Sequence, residues 1–168
     1  MNELEWNVFV EDFRGTLRRA AEELRRVPEA QAELRPHAGA WSQKEIVGHL
    51  IDSASNNHQR FVRAHFQDDL VFPGYDQDEW VRVERWQHAP WSELVELWLL
   101  YNLQLARLFA STPVEPRTSP RARHNLGEIA FGDAPEPPTL EWFLRDYVAH
   151  LEHHLAQAGL EHVLHRDA

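Results

Sequence analysis

Trp41-Ser42-Gln43-Lys44-Glu45-Ile46-Val47-Gly48-His49-Leu50-Ile51-Asp52-Ser53 is the stretch on which the reading of this chain turns. Ser42 and Glu45 make the S-x-x-E pattern of a capping box, in which each side chain satisfies a free backbone amide at a helix start. The predicted helix runs to about Phe66. With His49 set at zero and about 100° per residue, Arg60 lies near roughly 20°, Ser53 near roughly 40° and Asn56 near roughly −20°. Ile46, Leu50, Asn57 and Phe61 flank this ladder. Burying such polar groups without partners costs several kcal/mol. The ladder therefore lines a polar cavity in an apolar bundle or faces solvent, and helical phase alone leaves both readings open.

Working outward, three more long segments carry helical periodicity, and none shows the sustained alternation of strands. The first spans about Asn2 to Val27, with Trp6, Phe9, Val10, Phe13, Leu17 and Leu24 on a helical repeat and Pro28 just past its end. Another begins near Pro90-Trp91-Ser92 and continues to about Ala110, and the last opens at Thr139 and reaches at least Gly159. Between them lie two long connections. One, from Gln67 to Pro90, is aromatic and holds a short helix through Trp86; the other, before Pro138, is rich in Pro, Arg and Gly. The expectation is an all-α single domain over residues 1–168, a four-helix bundle with long crossover connections rather than a simple up-down-up-down one.

Composition removes several function classes. The 17 Lys and Arg against 27 Asp and Glu give a net charge of −10, the wrong sign for a nucleic-acid binder. The absence of cysteine excludes disulfides, Cys-type zinc sites and a catalytic thiol in the chain itself. No apolar run approaches the ~18 residues of a membrane span. Met1 to Trp6 carries acids where a signal peptide needs cations. A cytoplasmic protein with no membrane partner is expected.

Any metal site must then use His, Asp or Glu, and the chain has 11 histidines. On the last helix, His150 and His154 fall within the stripe shared by Phe143, Tyr147 and Leu151, whereas His153 lies outside it beside Asp146. Two imidazoles four residues apart can reach one metal ion, with a third ligand from another helix. Spacing alone leaves the pair equally readable as ordinary helix-flank histidines.

Three motifs in order resemble the DinB/YfiT-like family of four-helix-bundle metalloproteins, over roughly residues 30 to 158. They are the stretch around His49, the loop Pro73-Gly74-Tyr75-Asp76-Gln77-Asp78-Glu79-Trp80, and the closing Tyr147-Val148-Ala149-His150-Leu151-Glu152-His153-His154-Leu155-Ala156-Gln157. The resemblance implies a metal, zinc or nickel, held by His49, His150 and His154. Asn56 and Arg60 match recurring positions and are expected to hold polar or anionic parts of a small-molecule substrate. Trp41, Tyr75 and Trp80 are expected as pocket walls. Asp52 either orients a ligand imidazole or binds solvent. His153 is expected at the helix flank or as a partner behind the ligands.

Three neutral imidazoles leave a tetrahedral ion one open position, which suits reactive chemistry. The family resemblance implies transfer of a low-molecular-weight thiol cosubstrate to an electrophile. Hydrolysis is the alternative, with a non-enzymatic, metal-stabilised stress-response module as a third reading. It also implies a homodimer. Trp6, Trp98 and Trp142 are expected to pack in the core, Arg117, Arg121 and Arg123 with His124 to form a solvated loop, and Glu152 to point away from the ligands. His162 and His165 are placed in a fraying C-terminus.

Overall fold

Asn2 and Glu5 cap each other's backbone amides, both at 2.9 Å, and this box opens α1 (Glu3–Arg26) in a computed structural model that describes residues 2–164. After the single turn α2 (Glu29–Ala32), the expected Ser42–Glu45 box opens α3 (Gln43–Arg63). Asp76 caps α4 (Gln77–Glu84), followed by a 3-10 turn at Trp86–His88. Then come α5 (Trp91–Ser111), α6 (Val114–Thr118) and α7 (Leu126–Ile129). Thr139 caps α8 (Leu140–Gln157), and α9 (Glu161–Leu164) closes the described chain. The protein is all-α: among the described residues the only extended pairing is an isolated bridge between Leu70 and His124. No described helix is long and apolar enough to cross a membrane.

The four long helices pack in the spatial order α1–α5–α3–α8, which is not their order in the chain. That departure is why the connections are long. At the centre, Phe61 on α3 meets Phe109 on α5 and Phe143 and Tyr147 on α8 edge-on, with ring centroids 5.3–5.6 Å apart. Each such pair adds about 1 kcal/mol beyond its burial. Trp6 and Trp98 are buried and Trp142 packs against the same core, as expected.

Two helix ends fall short of expectation, for identifiable reasons. α3 ends at Arg63 rather than Phe66, because Arg121 takes the Ala64 and Gln67 carbonyls and pulls the chain into a turn. α8 ends at Gln157 because Gly159 adopts φ +87°, the left-handed conformation that closes many helices.

The arginine-rich connection is not a solvated loop, and this corrects the sequence expectation. Arg117 is 0% exposed, lies over the Trp6 ring at 4.4 Å, and pairs with Glu3 and Glu141. Arg121 is buried against three main-chain carbonyls. Only Arg123 is exposed, while His124 bonds Glu136 at 2.8 Å. The two long connections are also tied to each other. Asn125 accepts from the Phe72 amide at 3.0 Å and donates to the Phe72 carbonyl at 2.8 Å. This clip brings Tyr75 from one connection and Phe131 from the other over the end of the bundle where α3 meets α8.

Candidate metal centre

The capping box fixes the phase of α3, and that phase turns His49 toward α8. Gly48, the residue before His49, faces Trp86. A Cβ there would fall 2.1 Å from Trp86 Cγ, so only glycine lets the Trp86 indole lie flat on α3. The indole N–H donates to Asp52 at 2.9 Å. Asp52 is thus occupied by Trp86, and among the described residues it makes no hydrogen bond to an imidazole. The reading of Asp52 as a partner of a ligand histidine, or of solvent, is corrected accordingly. Burial pushes its carboxyl up to about 6, with the Trp86 bond opposing and Glu84 adding to the rise.

His150 and His154, one turn apart on α8, complete the cluster. Ring centroids lie 4.5 Å apart for His150–His154, 4.6 Å for His49–His154 and 5.2 Å for His49–His150, all edge-on. One ring nitrogen from each of the three lies within 4.8 Å of the others. The Nε2 atoms of His49 and His150 are 3.3 Å apart. A tetrahedral ion with arms of 2.0–2.1 Å has edges of about 3.3–3.4 Å, so the His49–His150 spacing matches one edge of zinc-type ligation.

Electrostatics also prepares these rings as ligands. Burial, then the neighbouring imidazoles, holds His49 and His150 down at about 3, and burial lowers His154 as well. All three are therefore neutral at pH 7 and keep a lone pair for a metal. His154 Nδ1 lies 2.8 Å from Gln157 Oε1, which requires Nδ1 to carry the proton and frees Nε2. Gln157 in turn bonds His153 at 3.0 Å, and the His153 ring lies 5.2 Å from that of His154, so His153 stands behind the cluster. Trp41 walls the cluster, 5.1 Å from the His49 ring and 6.3 Å from His154.

From His150 a cavity of about 330 Å³ opens along α3. Ser53, Asn57, Arg60 and Tyr75 form its polar side, and Phe143 and Tyr147 part of its apolar side. Asp146 accepts the amides of Phe131 and Gly132 at 2.9 and 2.7 Å, holding the Phe131 ring 5.6 Å from that of His150. Of the polar ladder of α3, Ser53 and Arg60 therefore face a cavity.

A model of the DinB superfamily matches residues 12–158. The chain belongs to the DinB superfamily. The fold of this DinB protein is similar to that of YfiT from Bacillus subtilis, described as a probable metal-dependent hydrolase with an unusual four-helix bundle topology. The TM-score is 0.77 at 19% identity, covering 95% of this chain and 86% of YfiT. No curated protein sequence matches this DinB protein.

The expected site residues separate into three groups. His49, His150 and His154 come together, and Arg60 and Tyr75 line the adjoining cavity. Trp80 packs behind Tyr75 at 5.2 Å instead of lining the cavity, and Glu152 lies away in a groove beside α1. Asn56 is not in the cavity wall: its amide donates to the Asp52 carbonyl, and Asn57 stands in its place. Gln157 and Asp146 escaped the sequence reading. A glutamine three residues after a ligand histidine was the available signal for the first; the second has none, because its partners are backbone amides of a distant loop.

Proposed function

We propose that this DinB protein is an enzyme that uses a zinc or nickel ion at His49, His150 and His154 to transfer a low-molecular-weight thiol to a small electrophilic substrate. The observation that carries the reading is the convergence of three neutral imidazoles, one of which, His150, lines a half-open, substrate-sized cavity. Bound there, a divalent ion supplies Lewis acidity and lowers the pKa of a thiol that reaches it. The chain supplies the rest. Its imidazoles stay neutral through burial, Gln157 fixes the His154 tautomer, and Trp41 and Phe131 flank the cluster. With no cysteine in the chain, the sulfur comes with the cosubstrate.

Hydrolysis is the second reading, favoured by the likeness to YfiT. One experiment separates the two. Zinc- and nickel-reconstituted protein is assayed with a panel of low-molecular-weight thiols and electrophiles, and in parallel with activated esters and amides without thiol. Turnover that requires thiol and disappears in His49→Ala and His154→Ala supports transfer. Thiol-independent ester or amide cleavage, lost in the same variants, replaces it with hydrolysis. Bound metal without either activity leaves a metal-stabilised binding module.

A further inference from the structure

We infer that the cavity selects a small monocarboxylate with an apolar body, its carboxylate held by Arg60 and its reacting end toward His150. The inference rests on the enzymatic reading above and names the substrate class.

Arg60 is only 4% exposed. Its guanidinium donates to the Pro73 carbonyl at 2.7 Å and the Asn57 side-chain oxygen at 3.2 Å, and its centre lies 5.9 Å from the Tyr75 ring. These are neutral partners, and they use two of five N–H donors. No carboxylate among the described residues forms an ion pair with it. The contrast with the other buried cations is direct. Lys44 pairs with Glu29 and Glu33, and Arg117 pairs with Glu3 and Glu141. Arg121 also lacks an acid, but it clips three carbonyls at the end of α3 and does not line this cavity. A buried guanidinium without a counter-charge is costly, and its planar fork matches a carboxylate in bidentate fashion.

The rest of the cavity narrows the ligand. Asp146 and Glu128 lie on its wall, so a dianion such as a phosphate ester would meet more repulsion than a monoanion. Asp146 is not the missing partner: it forms no ion pair with Arg60, and each of its oxygens is held by a loop amide. The same wall includes Phe143, Tyr147 and Ile129, which suits an alkyl or aryl body. Ser53, whose hydroxyl approaches His150 Nδ1 at 3.5 Å, stands seven residues before Arg60, about 10 Å along the helix. A reacting atom separated from its carboxylate by several bonds spans that length.

The test uses zinc-loaded protein and titration calorimetry with 6-mercaptohexanoate and 6-mercaptohexanamide, which share a metal-seeking thiol and differ in the charge of the tail. The acid is expected to bind at least tenfold tighter than the amide. Arg60→Gln should erase that preference, and Arg60→Lys should retain part of it, with zinc content and melting temperature recorded for each variant. Equal binding of acid and amide by the wild type, or a preference that survives in Arg60→Gln, overturns the inference. So does tighter binding of hexyl phosphate than of hexanoate. Failure of the metal reading shows separately, as absence of bound zinc. The metal-free arm then decides: hexanoate favoured over hexanamide by intrinsic fluorescence, and only with Arg60 present, upholds the anion pocket, and no preference removes it.

Discussion

His49 Nε2 and His150 Nε2 face each other at 3.3 Å across the α3–α8 interface, in a chain that separates them by 101 residues. Tag-free protein is therefore expected to bind about one transition-metal ion per chain, and His49→Ala and His154→Ala to bind none under the same conditions. Metal should also raise the melting temperature, since an ion at a hundredfold excess over its Kd stabilises by about 2.7 kcal/mol. Elemental analysis with and without chelation, beside thermal melts, checks both statements.

Gln157 sets the tautomer of His154, so Gln157→Ala should weaken metal binding by about 10- to 100-fold while leaving the fold intact. His153 bonds Gln157 and lies with its ring 5.2 Å from that of His154 without holding its proton, and His153→Ala should cost less. Competition with a chromogenic chelator measures the order. A larger loss in His153→Ala than in Gln157→Ala would refute the assignment.

Gly48→Ala should destabilise by about 1–3 kcal/mol, because the new methyl group meets the Trp86 indole. In a Trp86→Ala background the same change should be nearly neutral. Urea denaturation of the four proteins in a double-mutant cycle reads the coupling.

Acid should destabilise the metal-free protein through its ligands. The unfolded chain takes up protons on His49 and His150 near 6.5, whereas the folded chain holds both down at about 3. Their contribution is thus fully present above about pH 6.5 and lost as pH falls toward 3, with a slope of up to about 1.4 kcal/mol per pH unit for each histidine. His49→Ala should flatten the stability–pH profile between pH 6 and 4.

Asp52 has the opposite sign. Its carboxyl is raised from 3.8 to about 6, so the folded protein gains stability as pH falls through 6 toward 4 and loses it above. Asp52→Asn keeps an acceptor for Trp86 and should stabilise the protein at pH 8 by on the order of 2 kcal/mol, with no gain at pH 4. A loss at pH 8 would mean that the charge itself holds the indole.

The Ser42–Glu45 capping box and the four long helices were legible because each is written in local spacing, S-x-x-E and a 3.6-residue repeat; two imidazoles four apart made His150 and His154 candidates, and the family resemblance joined them with His49. The cavity face was nearly legible. Taking His49 as its centre placed Asn56 inside, but the His49 ring reaches sideways to α8, and the face that lines the cavity runs through Ser53, Asn57 and Arg60. Partners supplied by remote segments were not legible. Nothing near Asp52 announces Trp86, 34 residues on, and nothing near Arg117 announces Glu3, so a buried anchor read as a solvated charge run. His162 lies exposed on α9, and His165 falls outside the described residues.

The spatial order α1–α5–α3–α8 would make metal capture a signal of completed folding. One candidate ligand belongs to the second long helix and two to the last, so a chain emerging from its N-terminus has no such site until α8 has docked. A molecule that binds a metal there would by that fact have closed the loop of 101 residues between His49 and His150, and the ion would act as a latch between α3 and the last long helix.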